Sequence, residues 1–121
     1  MSRAARTLFV WSFYLLGLGI ILVVVPNFLL ALFGLPTTEE VWVRVVGVLV
    51  LILAYYSLSS ARQEDRDYFG WSVPARASVI LFFIAFVLLR LAPPPLILFG
   101  LVDLAGAAWT WQALRSEGTH A

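Results

Sequence analysis

The sequence predicts an all-α fold, a polytopic membrane protein built as an antiparallel four-transmembrane-helix bundle with both termini cytoplasmic. Three observations predict it. Of the 121 residues, 62% are hydrophobic and only 12% charged, about half the ~25% charge of a soluble domain. The apolar residues gather into four runs, each able to approach the ~20 residues that cross a hydrocarbon core. Arg3, Arg6, Arg62, Arg66, Arg76 and Arg115 fall on the side of the termini, against Arg44 and Arg90 on the other. Cytoplasmic loops are recognised by this excess of arginine. Little is left over for a soluble unit, so residues 1–121 read as one membrane domain.

The first span covers about 7–25. Its apolar run is longer than the 7–15 residues of a signal-peptide core, and Pro26-Asn27-Phe28 follows where a small-residue cleavage site would stand. It reads as a retained span. Ser12, Leu16, Gly19 and Val23 share one helical face by their spacing, a smooth surface for a neighbouring helix. Pro26 ends or kinks the span because it has no N–H to give. Phe28 to Phe33 is too short to cross alone and reads as a helical extension or an interfacial turn, closed by Gly34-Leu35-Pro36.

Thr37-Thr38-Glu39-Glu40 has the pattern of a capping box and predicts the start of the second span, about 38–60. Glu40 and Arg44 then stand i, i+4 in the favourable order. Residues 61–72 carry mixed charges and predict a solvated cytoplasmic loop. The third span, about 73–91, is bracketed by Arg76 and Arg90, read as anchors that snorkel outward. Pro93-Pro94-Pro95 is a stiff connection, with the last proline suited to open a helix. The fourth span covers about 96–114, and residues 116–121, including His120, read as a frayed tail. Trp11, Trp71, Trp109 and Trp111 predict an inner aromatic belt, with Trp42 on the outer side.

Asp103 stands within the fourth span, where inserting an Asp at helix centre costs roughly 2.5–3.5 kcal/mol. It needs a partner, a ligand or a wet cavity. Arg44 lies in the same outer half of the bundle by its distance from the helix end, so an Arg44–Asp103 pair is the expected answer, structural or ligand-binding. Glu40, Gly47, Gly100, Gly106 and Thr110 are the supporting residues: a helix-start carboxylate, three small residues permitting close approach, and a hydroxyl two turns from Asp103.

Other chemistry finds no template. The chain has no cysteine, so disulfides and thiolate sites are out. No nucleophile triad, metal-spaced cluster or nucleotide loop is present, and no catalytic residue, metal or cofactor is expected. A net charge of +1 gives no reason to expect nucleic acid.

With Arg44-x-x-Gly47 in span two, Arg76 opening span three and Asp103-x-x-Gly106 in span four, the chain resembles the small bacterial four-helix membrane proteins grouped around the DoxX-like families. The resemblance implies a four-helix inner-membrane protein, some of whose relatives are associated with quinone-linked or sulfur redox systems. The missing cysteine and intramembrane histidine argue against a direct redox role here. Small multidrug-resistance exporters match in length and helix count, but their essential carboxylate lies in the first span, and span one here has none. The function expected is non-catalytic: an accessory protein holding a lipid-like or quinone-like molecule, or a partner subunit, near Arg44 and Asp103. The alternative is a small proton-coupled transporter working as a homo-oligomer, with Asp103 exchanging the proton. The partners expected are membrane lipids, a hydrophobic small molecule, and further copies of the chain or a membrane subunit.

Overall fold

A computed structural model describes residues 1–118 and builds five helices among them: α1 (Arg3–Val24), α2 (Pro26–Leu32), α3 (Trp42–Gln63), α4 (Arg66–Leu88) and α5 (Leu96–Gly118). All but α2 are long and apolar enough to cross a membrane. Successive long helices run antiparallel. The start of α1 meets the ends of α3 and α5, where the Ser2 amide donates to Glu64 (2.9 Å) and the Ala4 amide to Glu117 (3.1 Å). At the opposite end, Phe33 after α2 packs on Phe99 of α5, ring centroids 4.8 Å apart.

Helix α1 is the most enclosed of the four long helices. It starts with Ser2 as N-cap, whose hydroxyl accepts from the Ala5 amide, satisfying one of the free N–H groups at a helix start. Its buried face runs through Leu8, Ser12, Leu15, Gly19 and Leu22. Ser12 and Gly19 were expected there; Leu16 instead faces outward at 43% exposure, because the 3.6-residue period places Leu15 and Leu22 in line with the glycine. Gly19 and Gly47 make the α1–α3 crossing. A Cβ on Gly47 would stand 2.9 Å from Leu22 Cβ and from the Val23 backbone nitrogen. Gly100 makes the α4–α5 crossing in the same way, against Ile80 Cα at 3.0 Å.

Three helix ends share one device. After α2, α3 and α4 the chain turns through a left-handed residue: Gly34 (φ 73°), Glu64 (φ 53°) and Arg90 (φ 61°). In each, the next amide reaches back to a carbonyl five residues earlier, Leu35 to Leu30, Asp65 to Ser60 and Leu91 to Phe86. This is the Schellman closure, which satisfies carbonyls the helix leaves free. Glycine adopts that backbone freely, whereas glutamate and arginine do so at a cost.

Several boundaries differ from the sequence reading for identifiable reasons. Residues 61–72 are not a loop. Helix α3 continues to Gln63, and Asp65 caps α4 by accepting from the Tyr68 amide at 3.2 Å, leaving only Glu64 and Asp65 between them. Acidic residues suit a helix start, so a run of charges marked a cap as readily as a solvated turn. Pro74 then lies inside α4 rather than near its start. Thr37 to Glu40 do not form a capping box: α3 begins at Trp42 with no side-chain cap. Thr38 donates its amide to Asn27 Oδ1 (2.9 Å) and accepts from the Glu40 amide two residues on. The Glu40–Arg44 helical pair is therefore not made. Ser116 and Glu117 belong to α5, and Glu117 is held by Ala4 and by an ion pair with Arg66 at 2.8 Å. His120 lies outside the described residues.

Polar and apolar groups are arranged as lipid would require. Large side chains such as Leu81, Leu88, Phe82 and Trp42 face outward. The interior holds Thr7, Ser12, Ser57, Ser60, Ser72 and Thr110 beside apolar residues such as Leu8, Leu15 and Phe69. Thr7, Ser12, Ser60 and Ser72 each donate to the carbonyl three residues before them, which meets their hydrogen-bonding need inside their own helix.

Candidate functional site: an apolar cavity with a charged wall

Around the bundle, α3 packs on α1, α1 on α5 and α5 on α4. The fourth side is loose. There α3 and α4 touch sparsely, with Ser57 and Tyr68 hydrogen bonded at 3.1 Å beside their shared turn. The gap is a partly open cavity of about 500 Å³, within the range of small-molecule sites. Along α3 it reaches from Val43 to Ser57, fourteen residues or about 21 Å at 1.5 Å per residue. Its wall is almost wholly apolar, including Leu53, Val79 and Phe83. Arg76 and Asp103 are the formally charged residues on it.

Arg76 is ten residues into α4 from Arg66, about 15 Å, and so lies in the middle of the span. It does not snorkel. One guanidinium nitrogen, Nη2, donates to Thr110 Oγ1 at 2.7 Å and lies 3.5 Å from Ser72 Oγ. Its carbon sits 5.1 Å from the centroid of the Trp11 ring, a cation–π contact worth about 2 kcal/mol or more when desolvated. Among the described residues, Nε and Nη1, both fully buried, have no hydrogen-bond partner.

The hydroxyls behind Arg76 have a fixed direction. Thr7 Oγ1 gives its proton to the Ala4 carbonyl at 2.7 Å. A hydroxyl has one proton, so in the 2.8 Å Thr7–Thr110 contact Thr110 is the donor. The chain therefore runs Arg76 to Thr110 to Thr7 to Ala4 and ends on a carbonyl. Its effect is to hold one N–H of the guanidinium in place. Gly106 makes room for it, since a Cβ there would stand 2.7 Å from Trp11 Cζ3 and 3.3 Å from Arg76 Nη1.

Asp103 is half-buried on α5 and faces the cavity. Arg76 acts on it electrostatically but does not close to within the 4.0 Å of an ion pair. No hydrogen bond from the described residues reaches the carboxylate.

The expected Arg44–Asp103 ion pair is not formed. Arg44 is exposed on α3 and donates to the Val23 and Val24 carbonyls at the end of α1. Pro26, the first residue of α2, has no N–H with which to continue the α1 ladder, and Arg44 supplies donors to the carbonyls left there. Of the supporting residues, Gly106 and Thr110 stand at the Arg76 cluster beside Asp103. Gly47 and Gly100 serve the helix crossings, and Glu40 is exposed ahead of α3. Arg76, Trp11, Thr7 and Tyr14 also belong to the site, although the sequence alone reads Arg76 as an anchor and Trp11 as belt and does not point to Thr7 or Tyr14. Trp11 is only 8% exposed, whereas Trp42, Trp71, Trp109 and Trp111 face outward. The usable signal for Arg76 was Asp65 as an N-cap, which places the arginine deep within its helix.

Comparison of the chain with protein-family models, curated proteins and solved structures gives no match.

Proposed function

We propose that this is a non-catalytic membrane binding protein that holds one lipid-like or quinone-like molecule between α3 and α4, with its polar group at Asp103. The observation that carries this reading is the long apolar cavity with a charged pair on its wall at mid-span. A carboxylate at that depth is costly and marks a functional position. The charge partner in this reading is Arg76 rather than Arg44. Placement in the cytoplasmic membrane of a bacterium, with both termini inside, and membership of the DoxX-like group belong to the same proposal. The arginines support the orientation: with Arg76 removed from the count, Arg3, Arg6, Arg62, Arg66 and Arg115 remain at the end bearing the termini, against Arg44 and Arg90.

Native mass spectrometry of the gently solubilised protein tests the reading. A defined extra mass on the chain, lost when Val79→Trp fills the cavity, is the expected result. Wild-type protein that carries no lipid-like mass, and acquires none when membrane lipid extract is added, would contradict it.

The donor-free carboxylate on the cavity wall also favours a second reading, a proton-coupled transporter working as a homo-oligomer. Transport in proteoliposomes that stops in Asp103→Asn would support it. Transport at full rate in that variant would remove it.

A further inference from the structure

Resting on the cavity reading above, the geometry points to one class of occupant: an uncharged lipid with a hydroxyl head, whose O–H is given to Asp103. Three observations select this head. Asp103 offers acceptors to the cavity and receives no hydrogen bond from the described residues. An ionised carboxylate only accepts, so a head that pairs with it is a donor. Next, Arg76 and Asp103 are the formal charges on the wall, and they sum to zero. A cationic or anionic head would leave a net charge in the membrane interior, where it is heavily penalised.

Finally, Arg76 is not free to receive an anion. Nη2 gives one N–H to Thr110 and has Ser72 Oγ 3.5 Å away for the other. Nε and Nη1 have no accessible surface and are packed beside Trp11 and Gly106. A carboxylate or phosphate head would have to displace that packing to reach them. A hydroxyl meets Asp103 without disturbing it, and the apolar wall takes the chain.

The test uses the full chain in detergent and four probes that share one chain: oleyl alcohol, oleyl methyl ether, oleylamine and oleate. Binding is titrated by native mass spectrometry. Oleyl alcohol is expected to bind about tenfold more tightly than the ether, since the ether lacks the donor to a charged acceptor. In Asp103→Leu that gap is expected to close. Val79→Trp is expected to weaken both probes together.

Equal binding of alcohol and ether by the wild type would overturn the hydroxyl inference and leave the cavity reading intact. Tightest binding of oleylamine or of oleate would overturn the uncharged head. If no probe binds the wild type, the cavity reading itself falls. The wild-type series decides the matter even if Asp103→Leu does not fold.

Discussion

Thr110→Val tests whether the hydroxyl chain holds Arg76. The substitution keeps nearly the same shape and removes an oxygen that is fully buried on α5. Two contacts go with it, the 2.7 Å bond from Arg76 and the 2.8 Å bond to Thr7. A hydrogen bond to a charged group is worth about 1.5–3 kcal/mol in soluble proteins, whereas polar contacts between membrane helices average only about 0.6 kcal/mol. Arg76 decides which figure applies. Two of its nitrogens already have no partner, and Ser72 at 3.5 Å is too distant to substitute. The expected loss is therefore about 2 kcal/mol, towards the soluble figure. Thr7→Val leaves the arginine bond in place and is expected to cost about 0.6 kcal/mol. Unfolding in mixed dodecylmaltoside and dodecyl sulfate micelles, followed by tryptophan fluorescence, measures both. In an Arg76→Leu background the extra cost of Thr110→Val is expected to vanish. Equal costs for the two threonine variants in the wild-type background would refute the reasoning.

The remaining expectations use the same assay. Gly106→Ala is expected to destabilise by about 1–3 kcal/mol through overpacking on the Trp11 ring. Gly17→Ala, whose Cβ meets nothing within 4 Å, is expected to be neutral or to stabilise by up to about 1 kcal/mol; similar losses in both would remove the close-approach account. Arg90→Gly is expected to stabilise by about 1 kcal/mol, because glycine adopts the left-handed turn without a Cβ penalty. A loss would show that the Arg90 side chain matters more than its backbone. At the end bearing the termini, hydrogen bonds from the Ser2 hydroxyl and amide hold the Glu64 carboxyl below its ordinary range. The acid is thus more readily ionised when folded, so its contribution is present above the unfolded value of about 4.3 and lost as pH falls through the folded one. Wild-type stability is expected to decline slightly more than that of Glu64→Gln below about pH 4; parallel pH profiles would contradict this.

The four long helices were legible because each is a long apolar run; Pro26, read as the end of the first, opens α2, and Pro95 stands one residue before α5. Asp103 was legible as a residue that needs company. Its neighbour was not, for two physical reasons. Hydropathy treats a run of charges as a loop, although Asp65 and Asp67 form the cap and first turn of α4. Moving that start back by about two turns carries Arg76 from the helix end to its middle. Arg44, in turn, was matched with Asp103 and Glu40 because a side-chain list omits the backbone. The carbonyls left at the end of α1 are invisible to any pairing of charged residues, yet they are the partners it has. Trp11 shows the same limit: spacing cannot tell a tryptophan at an interface from one pressed against a glycine.

A long-chain molecule in the gap between α3 and α4 would lie within reach of a photoreactive probe. Photocrosslinking tests it most directly, with a diazirine-bearing fatty alcohol added to the protein in nanodiscs and the adducts mapped by peptide mass spectrometry. Label concentrated on Leu15, Val79 and Phe83, on the cavity wall, is expected. Label spread over the outward-facing Leu81, Leu88 and Leu98, with none on the wall, would contradict it.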